Sequence, residues 1–328
     1  MRIAMFFFTA IVMLGVLELA LRQSGRLLVE RNERIAVYRY DAELGWSGIP
    51  NSSTLYSDSL ATFTVQNNGW GFRDREHGPK TTPRIAVLGD SFIWGMHVRT
   101  EERFTDQLQS SLPDWEVINL GVSGYGTDQE LLVARKYLPR IAPDLVFLMF
   151  CVANDFEDNA SNAVNKGYYK PYFIVQNGAL ELRGIPVPKA LGYFIREHPA
   201  IHVSYLLRRL ESFYFQCRNP EIVNDYSPTR ELIAAVRECA EQQGARFAVG
   251  LTQRSGPSLE LMKHLDRQRI PYVEVATDLC YRRLGWHWTP AGNRIVADKV
   301  LQFLREQNLI DSARDSGAID RRPAAARR

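Results

Sequence analysis

The chain has 328 residues, 45% of them apolar and 23% charged, which is the composition of a globular protein long enough to bury a substantial core. A net charge of +3, with no basic stripe carrying interleaved aromatics, excludes nucleic acid as the expected partner. The four cysteines, Cys151, Cys217, Cys239 and Cys280, form no CxxC pair, which argues against a zinc ribbon or a redox motif.

Residues 3–17 carry no charge and follow Arg2, as in a signal peptide core or a short membrane anchor. Glu18 stands three residues before a cut after Ala20, where a small residue is wanted. An uncleaved signal anchor over 1–22 is therefore expected, with the rest of the chain outside the cytoplasm. Arg22, Arg26, Arg31 and Arg34 follow the apolar run, and the preference of basic residues for the cytoplasmic side opposes that topology. Residues 23–36 read as a charged helical stalk. Residues 37–82 read as short strands and loops, with alternation over 62–65 and the run Asn68-Gly69-Trp70-Gly71-Phe72-Arg73.

Pro83 opens the main domain, expected over 83–310. Strands are predicted at 84–88, 115–119, 144–151, 246–251 and 271–275. Helices are predicted at 101–112, 128–141, 227–243, 258–268 and 291–306, with Pro139 expected to bend or end the second. Strands apolar throughout, alternating with helices, imply a five-stranded parallel sheet covered on both faces, which binds ligands at the carboxyl ends of its strands. Residues 156–226 break this rhythm as an insertion. The tail over 311–328, rich in Ser, Ala, Arg and Pro, is expected to be disordered.

Polar groups gather at the strand ends. Gly89-Asp90-Ser91 closes the first strand, so the Ser91 hydroxyl enters the cleft and its N–H sits at the start of a helix. The second strand runs into Asn119-Leu120-Gly121-Val122-Ser123-Gly124, the third into Ala153-Asn154-Asp155. His287 follows the fifth strand, before Thr289-Pro290-Ala291-Gly292. Acyl transfer needs a nucleophile, a base and oxyanion donors. Ser91 supplies the first and His287 the second. The N–H groups of Ser91 and Gly124 and the Asn154 amide supply the third.

These blocks resemble the GDSL/SGNH hydrolase family. Gly89-Asp90-Ser91-Phe92 matches its opening block, Gly124 the glycine of the second, Asn154 the asparagine of the third and His287 the histidine of the last, in family order over about residues 84–306. The resemblance implies a three-layer α/β/α flavodoxin-like fold and ester hydrolysis or acyl transfer with no cofactor and no metal. Two positions depart from the pattern. Gly285 and Leu284 stand where the family keeps an aspartate beside the histidine, and Val152 replaces a glycine before Asn154. Asp278, or a backbone carbonyl near Leu284, is left to orient His287; otherwise the domain is slow or silent.

Simpler readings stand beside these. Ser91 and Asn154 suit helix caps, Gly124 and Gly126 plain turns, and His287 a packed histidine between Trp286 and Trp288. Asp90 and Asp155 read as structural acceptors for backbone N–H groups. His97, His198, His202 and His264 lack metal-ligand spacing and read as surface or satisfied residues. The insertion aromatics Tyr168, Tyr169, Tyr172, Phe173, Tyr193, Phe194, Tyr205 and Tyr214 form either a lid over the cleft or the small core of a subdomain. The expected substrate is an acyl ester on a carbohydrate or cell-envelope polymer, met at the membrane. The alternatives are a membrane-associated lipase or thioesterase, and a silent domain that binds glycan or a partner protein.

Overall fold

The computed structural model describes residues 2–24, 37–164, 168–190, 192–193, 197–198, 203–282 and 285–310. The tail over 311–328, most of the expected stalk, and Phe194, His202 and Leu284 lie outside them.

Helix α1 (Arg2–Gln23) comes first, followed by four short strands, β1 (Tyr38–Asp41), β2 (Gly45–Gly48), β3 (Ser53–Ser57) and β4 (Thr62–Gln66). Then come β5 (Arg84–Leu88), α2 (Ser91–Trp94), α3 (Phe104–Ser111), β6 (Glu116–Asn119), α4 (Thr127–Ile141), β7 (Leu145–Phe150) and α5 (Asp155–Asp158). The insertion holds β8 (Ala163–Val164), β9 (Tyr168–Tyr169), β10 (Tyr172–Gln176), β11 (Ala179–Arg183) and α6 (Tyr205–Arg218). The chain closes with α7 (Thr229–Gln242), β12 (Arg246–Leu251), α8 (Gly256–Arg267), β13 (Tyr272–Glu274) and α9 (Pro290–Glu306).

Five strands form one all-parallel sheet in the order β13-β12-β7-β5-β6. Every residue of β5 and β7 is buried, which is why both read as unbroken apolar runs rather than alternating ones. Alternate residues serve opposite faces. Ala86, Leu88, Val146 and Leu148 pack with Leu131 and Leu138 of α4, Leu232 and Val236 of α7, and Leu261 of α8. Ile85, Val87, Leu145 and Phe147 pack with Phe104 and Leu108 of α3 and Val296 and Val300 of α9. The result is a three-layer α/β/α fold. Each of the buried Val, Leu, Ile and Phe side chains contributes roughly 1.5–3 kcal/mol.

The residues before Pro83 form two antiparallel hairpins, β1–β2 and β3–β4. Val37, Tyr38, Trp46, Tyr56, Phe63, Val65 and Phe72 share the apolar cluster of α4 and α7. The Trp46 indole N–H donates to the Ser123 carbonyl at 3.1 Å, and the Tyr38 hydroxyl accepts the Ser123 N–H at 3.0 Å.

In the insertion, Tyr168, Tyr169, Phe173 and Tyr193 are buried. Tyr168 meets Trp46 edge to face at 5.9 Å. Lys170 pairs with Asp128 of α4, both side chains fully buried. Tyr168, Phe173 and Tyr193 therefore share a core with the N-terminal hairpins, while Tyr169 packs with Ala163 and Val187 in a smaller cluster of the insertion. Tyr214 of α6, by contrast, is exposed.

Helix α1, with 22 residues and no buried side chain, is long and apolar enough to cross a membrane. Its Glu18 carboxylate accepts the N–H groups of Tyr205 (3.0 Å) and Leu206 (2.8 Å) and the Ser204 hydroxyl (3.0 Å), capping α6.

Candidate active site

Strand β5 ends at Leu88, and Gly89 turns the chain. A Cβ on Gly89 would run into Ile93 Cγ1, so only glycine lets α2 fold back onto the strand end. Asp90 caps α2, its Oδ1 accepting the Phe92 N–H at 2.9 Å. Ser91 is thereby the first residue of the helix, at the carboxyl end of β5.

His287 arrives from the loop after β13, between an anchor and a cap. The adjacent Trp288 is buried and meets Phe92 edge to face at 4.7 Å. Thr289 accepts the Gly292 N–H at 3.2 Å, and Pro290 starts α9. Held this way, His287 Nε2 lies 2.7 Å from Ser91 Oγ, the hydrogen bond a base must make to take a serine proton.

Gly124 follows β6 with φ +80°, and Asn154 follows β7, so both stand on strands flanking β5. Among the described residues, neither the Ser91 nor the Gly124 backbone N–H donates to an acceptor. Asn154 occupies the N-cap position of α5 without a capping bond; its amide donates to Asp158 Oδ2 at 2.5 Å. An amide has two N–H groups, so one remains for a ligand.

Asp278 is exposed, and among the described residues its carboxylate makes no hydrogen bond or ion pair. The structure does not bring it to His287. Gly285 explains why no aspartate occupies that position. It has φ +89°, and a Cβ there would lie 2.6 Å from His287 Cε1. The Leu284 carbonyl lies outside the described residues.

Beneath Ser91 lies a buried acidic cluster. Asp155 Oδ2 accepts the Cys151 N–H at 2.7 Å, so Asp155 and Asp90 both serve as backbone acceptors. Burial pushes Asp90 up to about 6, and burial, reinforced by neighbouring carboxylates, raises Asp155 and Glu130 well above the carboxylate range. Neither Glu130 oxygen has a partner among the described residues. Asp90, Cys151 and Asp155 bring ligand-type atoms within 4.8 Å of one another. Carboxyls that hold their protons so firmly, beside a thiol that burial also raises, form a poor cation site.

Of the two readings the sequence left for His97, surface or satisfied, the structure agrees with the second. Its ring is buried, its Nδ1 is 2.6 Å from Asp58 Oδ2, and its centre is 5.1 Å from that of His287. No local signal marks this pair. Asp58 lies in the β3–β4 turn, 39 residues earlier in the chain.

A buried parallel sheet covered by helices on both faces, with a Ser–His pair at its carboxyl edge, defines a protein of the α/β class. The family model of GDSL-like lipases and acylhydrolases matches residues 87–295, and the chain belongs to that family. Solved structures similar to it include a member of the lipolytic G-D-S-L family from Veillonella parvula (12% identity, 67% of this chain and 97% of that one, TM-score 0.40). A psychrotrophic esterase from Pseudoalteromonas sp. is similar at 11% identity, with 69% and 98% covered and a TM-score of 0.39. An acetyl xylan esterase is similar at 14% identity, with 68% and 100% covered and a TM-score of 0.40. No curated protein matches the chain significantly.

Proposed function

We propose that the chain is a serine esterase or O-acyltransferase that uses Ser91 as nucleophile and His287 as base. The observation that carries this reading is the 2.7 Å contact between Ser91 Oγ and His287 Nε2 at the edge of the sheet. Ser91 Oγ attacks the ester carbonyl carbon as its proton passes to His287 Nε2. The oxyanion so formed takes hydrogen bonds from the N–H groups of Ser91 and Gly124 and from the Asn154 amide. Collapse breaks the bond to the leaving alcohol, which receives the proton from His287. Water, or the hydroxyl of an acceptor, then enters by the reverse path and releases the acyl group.

The proposed substrate is an acylated carbohydrate or cell-envelope polymer. The proposed location is a membrane-anchored domain on the extracytoplasmic side. Helix α1 supports the anchor.

The test is hydrolysis of p-nitrophenyl acetate by the full chain in detergent, compared with Ser91→Ala and His287→Ala. Loss of activity in both folded variants is expected. A Ser91→Ala variant as active as the wild type rejects the nucleophile.

A further inference from the structure

We propose that the outer face of α6 lies in the headgroup region of the bilayer that α1 enters, so that the domain rests on the membrane at a second point. This rests on the reading of α1 as a membrane anchor and is independent of the roles of Ser91 and His287.

The two sides of α6 have different surroundings. Phe215 meets Tyr169 with ring centres 6.0 Å apart, and Arg208, seven residues earlier and so on the same side, is buried. That side holds α6 to the insertion. On the other side Leu207, Leu210, Tyr214 and Cys217 follow one another at steps of three and four, and Phe213 widens the row. Leu207, Leu210, Phe213 and Tyr214 are between 43% and 68% exposed. Contiguous apolar surface of this kind marks a face with an occupant.

Helix α1 identifies that occupant. Besides the Glu18 cap on the first turn of α6, the Arg22 guanidinium donates to the Val203 carbonyl at 2.8 Å and lies 5.4 Å from the centre of the Tyr205 ring. Glu18 is the first charge after the run 3–17, and Leu19, Ala20 and Leu21 still follow it before Arg22. With the apolar run in the hydrocarbon, the cap falls within its last turn. Helix α6 therefore begins at the boundary of the apolar layer rather than above it.

The residues of α6 suit that depth. An interfacial helix presents large apolar side chains on one face with basic residues beside them. Arg209 and Arg218, both exposed, flank the apolar row, and Arg218 Nη1 donates to the Tyr214 hydroxyl at 2.8 Å. Tyrosine settles at headgroup level, and arginine lays its stem on apolar surface while its charge stays in water. Arg208, Arg209, Glu211 and Arg218 make α6 too polar to cross the membrane itself. A second copy of the chain is the rival occupant. The bilayer is favoured because α1 already brings it to the first turn of α6.

The experiment uses the full chain in vesicles of phosphatidylcholine and phosphatidylglycerol, spin-labelled at Cys217, which is exposed on the same face. The signal of a Cys217→Ser chain is subtracted to remove any label on Cys239 and Cys280. A Cys217→Ser chain carrying Ser111→Cys supplies the aqueous reference, since Ser111 is exposed on α3, which covers the sheet face away from the insertion cluster. Collisions with a water-soluble nickel complex should be about tenfold fewer at Cys217 than at the reference, as for a helix sunk roughly 5–10 Å into the headgroup boundary. Leu210→Glu with Phe213→Glu should raise them to the reference value and keep the wild-type melting temperature, because both side chains are exposed. Nickel collisions at Cys217 equal to the reference, in a chain that resists carbonate extraction, overturn the proposal and leave the anchor standing. Release of the chain by carbonate rejects the anchor, and this proposal with it. Label broadening that sharpens on dilution with unlabelled chain places a second copy on this face and also overturns the proposal.

Discussion

Ser91 Oγ and His287 Nε2 meet at 2.7 Å although 196 residues separate them in the chain. One is carried by the end of the inner strand β5, the other by the loop beyond edge strand β13. Ser91→Ala and His287→Ala should each lower kcat for ester hydrolysis about 10³-fold or more. Neither residue is part of the core clusters, so thermal unfolding of both variants should match the wild type.

Gly285 tests how tightly the His287 ring is held. Its positive φ and the 2.6 Å approach of a Cβ to His287 Cε1 mean that Gly285→Ala must displace the imidazole. A shift of about 1 Å costs on the order of 10²-fold in rate. The variant should lose at least about tenfold in kcat and still bind a competitive inhibitor.

The Lys170–Asp128 pair ties the insertion to α4, with both side chains fully shielded from solvent. Lys170→Met leaves a buried carboxylate without its cation and should destabilise by about 3–5 kcal/mol. Adding Asp128→Asn removes the stranded charge and should restore most of the loss. Thermal melts of the single and double variants read this directly.

Glu130 sets a pH dependence. Burial, then the charges of Asp90 and Asp128, raise its pKa well above the ordinary carboxylate value. The folded chain therefore holds a proton that the unfolded chain releases near pH 4.3 (about the free value). Its contribution is fully present below that pH and is lost as pH rises through the folded value. Glu130→Gln keeps the neutral form at every pH. It should match the wild type in melting temperature near pH 4 and exceed it at pH 8.

The parallel sheet was legible because β5 and β7 are buried on both faces, so apolar content and strand length coincide. Ser91, Gly124, Asn154 and His287 were legible because each follows a strand of that sheet. The helix expected over 101–112 is instead a 3-10 turn, Thr100–Glu102, and a helix from Phe104. Arg103 breaks it: its side chain is fully buried and paired with Asp106, a tertiary demand that helical periodicity does not register. The surroundings of His97 were illegible for a similar reason. Asp58-Ser59-Leu60 signals only a turn, and nothing in its spacing says which loop that turn reaches. The insertion aromatics had two readings, and Trp46 decided between them for Tyr168, a contact 122 residues distant by number (168 − 46).

The N-terminal hairpins share their apolar cluster with α4 and α7, and this bears on how the protein can be handled. A chain begun at Pro83 would keep every residue of the family match, yet it would present to water the surface that Trp46, Phe63, Val65 and Phe72 now cover. Contiguous apolar surface of that kind drives self-association. Such a fragment would precipitate or form aggregates during expression, and a soluble form of the enzyme has to begin upstream of Val37.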